Sequence, residues 1–165
     1  MKCLNSISGI TIIGLIIFLV SGCSNNLNSS ELSSYKDKTF NFIVHYPAGW
    51  NSVIEETWEG TEERESSPDG GIVIYVESNK DDIIRVFGQH GQISLPTEGF
   101  VQEDFYTSSG EKGLLFSNEL MDEKEIYFIM DSGFNGAHIR VSNDSFKRNE
   151  EKIMNVLRSI ELIND

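Results

Sequence analysis

Three histidines, two cysteines and 26 carboxylates against 13 Lys and Arg are the groups of this 165-residue chain that could act as ligands, nucleophiles or acid–base pairs. His45, His90 and His138 are far apart, without the H-E-x-x-H spacing that sets two imidazoles around a metal. Neither G-x-S-x-G nor a phosphate loop occurs. Ser33 and Lys36 match S-x-x-K, yet the companion motifs S-D-N and K-T-G of an acyl-enzyme site are missing. Glu103 and Asp104 would point to opposite sides of a strand, so they cannot work as a carboxylate pair. His90, in the turn-like Gly88-Gln-His-Gly91, is the histidine best placed for chemistry. No catalytic residue, metal ligand or cofactor is assigned on this pattern; a small enzyme using scattered carboxylates and His90 is the alternative.

The remaining reactive group is Cys23, and what precedes it decides its chemistry. Eleven mainly apolar residues, Ile10 to Val20, match the core of a signal peptide and fall short of the roughly 20 that span a bilayer. Val20, Ser21, Gly22 and Cys23 resemble the lipobox of bacterial lipoproteins. That resemblance implies acylation of the Cys23 thiol and cleavage before it, with residues 1–22 removed. Two acyl chains, each buried methylene contributing roughly 0.8 kcal/mol, hold a protein stably where one chain does not. An uncleaved transmembrane anchor over Leu4 to Cys23 is the competing reading, and topology is the same in both: the acidic body is exported. The expected location is the extracytoplasmic face of the cell membrane, with membrane lipid as a partner through acylated Cys23. With Cys3 lost and Cys23 consumed, no disulfide is available.

Removing Met1 to Gly22 takes away Lys2 alone and leaves 12 basic against 26 acidic residues, a net −14 over 143 residues. Such a surplus argues against nucleic acid, whose phosphates are bound by Lys and Arg. It also repels anionic headgroups within about 8 to 10 Å at physiological salt.

Stepping along the chain, residues 23–37 are Ser- and Asn-rich and read as a lipidated Cys and flexible tether. Residues 38–165 read as one domain. Phe40, Phe42, Val44 and Tyr46 alternate as in a half-buried strand, and Tyr46-Pro-Ala-Gly49 fits a type I turn that returns Trp50 to the sheet. A strand about Asn51 to Trp58 precedes the acidic loop Glu59 to Gly71, read as a solvated charge run without EF-hand spacing, calcium being the open alternative. Ile72 to Val76 is an interior strand; Ile83 to Phe87 is ambiguous between helix and strand and is read as a strand. A meander follows over about Phe100 to Thr107, Leu114 to Leu120, Glu125 to Phe134 and Ala137 to Ser142, with Asn135-Gly136 as a two-residue turn. Phe146, Ile153, Val156, Leu157 and Ile160 recur at helical spacing, with Asn143, Asp144 or Ser145 as N-cap and a short strand Ile160 to Ile163 after it. The fold class is α+β: an antiparallel β-sheet meander packed by a C-terminal amphipathic helix.

Phe40-x-Phe-x-x-x-Tyr46-Pro-x-Gly-Trp50 and Ile153-x-x-Val-Leu-x-Ser-Ile160 together resemble the PsbP-like family, over about Lys38 to Leu162. The resemblance implies an α/β/α sandwich whose better-understood members bind other proteins and share no catalytic constellation. It implies a non-catalytic protein-binding or assembly module at the cell envelope, with an envelope protein as partner; a ligand-binding lipoprotein is a further alternative. Phe134 before the Asn-Gly pair and Phe87 before Gly88 are candidate exposed anchors. Lys147, Arg148, Lys152 and Arg158 on the last helix are a candidate basic docking patch, or simply a solvated face. The other aromatics, Tyr46, Trp50, Trp58, Phe100, Phe105, Phe116 and Phe128, are core candidates.

Overall fold

The computed structural model of the protein describes residues 32–55, 69–91, 93–96 and 98–163. Residues 1–31, which include the Val20-Ser21-Gly22-Cys23 run expected to be a lipobox, Trp58 and most of the acidic loop lie outside them, so the calcium question does too. Among the described residues the strands are β1 (Leu32–Asp37), β2 (Phe42–Pro47), β3 (Ser52–Glu55), β4 (Asp69–Tyr75), β5 (Ile83–Gln89), β6 (Val101–Tyr106), β7 (Lys112–Glu119), β8 (Glu123–Met130), β9 (Asn135–Ser142) and β10 (Glu161–Leu162), with one α-helix, α1 (Asn143–Arg158), and a 3-10 turn at Val76–Ser78. Seven strands form an antiparallel sheet in the order β3-β4-β5-β9-β8-β7-β6; β1, β2 and β10 form a second, small sheet. The chain crosses from the centre at β5 to the far edge at β6, then returns strand by strand until β9 pairs with β5. Ile83–Gln89 is thus a strand, as its β-branched residues favour.

Alternation puts Ile84 and Val86 of β5, Ala137, Ile139 and Val141 of β9, Ile126 and Phe128 of β8, and Leu115 of β7 on one face. Over them lie Ile153, Val156, Leu157 and Ile160 from α1 and its C-terminus, with Phe42 and Val44 of β2, all at most 1% exposed. Burying a side chain of this kind contributes roughly 1.5–3 kcal/mol. Tyr46, Trp50, Phe105, Phe116 and Phe128 are buried as expected. Asp144 in the first turn of α1 and Arg158 in the last complement the helix dipole.

Four expectations are corrected. First, Leu32–Asp37, read as the end of the tether, is a strand running from Leu32↔Pro47 to Asp37↔Phe42, so the folded domain includes these residues. Its weakly apolar sequence suffices because Tyr35 packs on Phe42 at 6.0 Å and Asp37 accepts the Thr39 and Phe40 N–H groups. Second, the turn before Trp50 starts at Pro47, whose carbonyl accepts the Trp50 N–H, because β2 continues through Pro47. Third, Ser142 is the N-cap of α1, its Oγ accepting the Ser145 N–H at 3.4 Å. Fourth, Asn135-Gly136 is not a turn. Both residues belong to β9, and the chain reverses at Asp131–Phe134 with Gly133 at φ 74°. Asn135 is drawn into the sheet because its side-chain amide donates to the Phe40 carbonyl at 3.1 Å. Gly136 is needed because a Cβ there would stand 2.6 Å from the Phe128 carbonyl oxygen.

Candidate functional site

The sheet face away from α1 carries a polar cluster assembled by register. Val73↔Arg85, Arg85↔His138, Tyr127↔His138 and Phe116↔Tyr127 form one line across β4, β5, β9, β8 and β7. Ile83↔Arg140 and Glu125↔Arg140 form the next. Glu125 Oε1 accepts from the Tyr127 hydroxyl at 2.9 Å and lies 2.9 Å from His138 Nε2. A carboxylate has no proton to give, so Nε2 is the protonated nitrogen of His138. The Tyr127 ring stacks on the imidazole at 4.3 Å and 9°, and Phe100 meets Tyr127 edge-on at 5.6 Å. Arg85 pairs with Glu55 and lies over the Phe87 ring at 5.4 Å.

Burial holds the Tyr127 hydroxyl in its neutral form, its pKa pushed up to about 12, with the Glu125 hydrogen bond and charge adding to the shift. Burial also lowers the His138 pKa below its ordinary 6.5, and the Arg140 and Arg85 guanidiniums lower it further, against the opposing pull of Glu125. At pH 7 the His138–Glu125 contact is therefore a hydrogen bond donated by a neutral ring to the carboxylate. The sign follows: with its folded pKa depressed, His138 contributes stability fully above about 6.5 and loses it as pH falls through the folded value. Urea midpoints measured at about pH 7.5 and about pH 5.5 are expected to fall further for the native chain than for His138→Gln, which cannot charge. Equal falls would remove His138 as the group responsible.

Among the described residues His138 hydrogen-bonds only to Glu125, with no hydroxyl or thiol placed for activation. Among the described residues, too, no three His, Cys, Asp or Glu side chains converge to hold a metal. His90, singled out for chemistry, is exposed at the end of β5 with its ring 5.1 Å from Phe40, and His45 is exposed on β2.

The proposed anchors fall in different places. Phe134 is 49% exposed at the β8–β9 turn, whereas Phe87 is 7% exposed, shielded by Arg85. Arg148 bonds Glu77 at 3.4 Å; Arg158 reaches Asn155 and lies 5.8 Å from the Phe105 ring. Lys147 and Lys152 are exposed and interspersed with Glu150 and Glu151. The helix thus does not gather its four basic residues into one free patch. The Glu125–Tyr127–His138 cluster was missed in the sequence; the available signal was the Glu125-x-Tyr127 alternation, which puts both on one strand face.

The antiparallel sheets with the C-terminal helix packed on them define an α+β domain of PsbP-like architecture. The chain is similar in structure to cyanobacterial PsbP (CyanoP) from Synechocystis sp. PCC 6803, with a TM-score of 0.54 and 12% identity, over 86% of this chain and 98% of that one. No protein-family model matches the sequence, and no curated protein matches it. At this identity the likeness establishes the fold.

Proposed function

We propose that the protein is a lipoprotein held on the extracytoplasmic face of the cell membrane by acylated Cys23, whose PsbP-like domain is a non-catalytic binding or assembly module for another envelope protein. The observation that carries the anchor is the run Val20-Ser21-Gly22-Cys23 directly after an apolar signal core. The fold supports the module reading, since its architecture follows that of PsbP, and the outer sheet face offers side chains suited to contact.

Geometry adds an orientation. Leu32, paired with Pro47, is nine residues from Cys23, a span of at most about 30 Å when fully extended. Phe134 is at the other end of the sheet, joined through its carbonyl to Gln89 and through Asn135 to the turn after β1. A partner that seats Phe134 would meet the end of the domain remote from the tether. The negative body, repelled by anionic headgroups, favours that arrangement.

The test is intact mass and membrane fractionation of the full chain beside Cys23→Ala. The native chain is expected to start at Cys23 with the added mass of its acyl groups, and the variant to lose both features. Unchanged mass and retention in Cys23→Ala would make the N-terminal segment a transmembrane anchor instead.

A further inference from the structure

The seven-stranded sheet ends at β6, and among the described residues nothing pairs with its outer edge. Five of its six residues are exposed, Val101 by 71% and Tyr106 by 56%. The backbone direction is determined by its neighbours. Thr107 donates to Glu111, and the Lys112 carbonyl turns away to accept from Asp131 on the β8 side. Tyr106↔Lys112 is therefore a pair without mutual hydrogen bonds, and the alternation of an antiparallel ladder aims the N–H and C=O groups of Gln102, Asp104 and Tyr106 outward. The edge contains no proline or lysine and its register runs without a bulge from Val101 to Tyr106, so its charged residues Glu103 and Asp104 are what guard it.

Two carboxylates, Glu103 and Asp104, mark its centre, one on each face. If two copies paired antiparallel about Asp104, whose N–H and C=O point outward, Asp104 of one would oppose Asp104 of the other, and like charges directly opposite are destabilising. Asp104 is only partly offset by Lys112 at 3.4 Å, both side chains being exposed. Arg158 lies over the ring of Phe105, and among the described residues no ion pair joins it to Glu103 or Asp104. We propose that β6 accepts an extended, lysine- or arginine-bearing segment of a partner protein as an added strand, bonded to Gln102, Asp104 and Tyr106. Main-chain bonds supply the docking and the two carboxylates select a basic strand. This rests on the binding-module reading and gives that partner its chemistry.

The test is residue-resolved amide exchange on the full chain in detergent solution, with a blocked peptide of alternating valine and lysine, and separately its valine–glutamate counterpart. The lysine peptide is expected to slow exchange at Gln102, Asp104 and Tyr106 on the order of tenfold, and the glutamate peptide to leave them unchanged. Asp104→Pro removes an outward N–H while sparing the ladder to β7, so it should abolish protection. Glu103→Lys combined with Asp104→Lys should transfer the preference to the glutamate peptide, and carries the test if the proline variant does not fold. Equal protection by both peptides, protection by neither, or protection at β1 or β3 instead would overturn the proposal. So would concentration-dependent protection without peptide, which would assign the edge to a second copy. Failure here with Cys23 still acylated would remove the edge and leave the anchor standing.

Discussion

Replacing Asp82 by alanine is expected to destabilise the domain by about 3 kcal/mol, read as a lower midpoint in equilibrium urea unfolding with an unchanged slope. Asp82 is 4% exposed at the β4–β5 turn, yet its carboxylate reaches the start of α1. Oδ1 accepts the Ser142 N–H at 2.6 Å; Oδ2 accepts the Asn79 amide at 2.8 Å and the Ser142 hydroxyl at 3.4 Å. Ser142 is the N-cap of the helix, so one side chain joins the turn, the end of β9 and the cap. Burial by itself would raise the Asp82 pKa, but the hydrogen bonds from Ser142 and Asn79 outweigh it and hold the group below its ordinary 3.8. The contribution is present above that value and is lost as pH falls through the folded pKa. The stability curves of the native chain and Asp82→Ala should therefore converge in strong acid. Asp82→Asn, which keeps the shape and one acceptor, should cost less than alanine. A loss below about 1 kcal/mol for Asp82→Ala would mean that water replaces these bonds without penalty.

Phe128→Ala is expected to cost about 4 kcal/mol, the transfer of the ring plus the cavity it leaves. Phe128 is fully buried, opposite Leu115 and Ala137 on its two neighbouring strands, and meets Phe105 edge-to-face at 5.0 Å. Its seat exists because position 113 has no side chain: a Cβ on Gly113 would lie 2.7 Å from the Phe128 ring and 2.3 Å from the Ile129 carbonyl oxygen. Urea unfolding of Phe128→Ala beside Phe128→Leu separates the ring from its bulk, leucine being expected to recover part of the loss. A leucine variant as unstable as alanine would show that the aromatic contact with Phe105 dominates.

Much of the fold was legible along the chain. Alternation in Phe42, Val44 and Tyr46 and the spacing of Ile153, Val156 and Leu157 are local consequences of which faces must be buried, and they marked β2 and α1. The polar cluster was not legible, because it depends on register, and register depended on one turn. A two-residue turn at Asn135-Gly136 would set Phe134 against Ala137 and His138 against Gly133; the actual reversal at Asp131–Phe134 sets His138 against Tyr127. Turn propensity at Asn-Gly lost to two tertiary demands, the Asn135 hydrogen bond to Phe40 and the close approach of the Phe128 carbonyl to Gly136. Leu32–Asp37 illustrates the same limit: its composition lacks the apolar content of an independent strand, and only pairing with β2 gives its backbone partners.

Composition and short-range pattern alone set the acidic body, the absence of any disulfide in residues 23–165, the Val20-Ser21-Gly22-Cys23 run after an apolar stretch and the succession of strands ending in an amphipathic helix. Each of these is a property of charge count or of neighbours a few residues apart. Tertiary structure decided which strand occupies the open edge, which face receives Arg85, His138, Tyr127 and Arg140, and which carboxylate secures the helix. Those choices bring together residues tens of positions apart in the chain, and they follow from how the strands share one buried face, a condition that no local stretch of sequence contains.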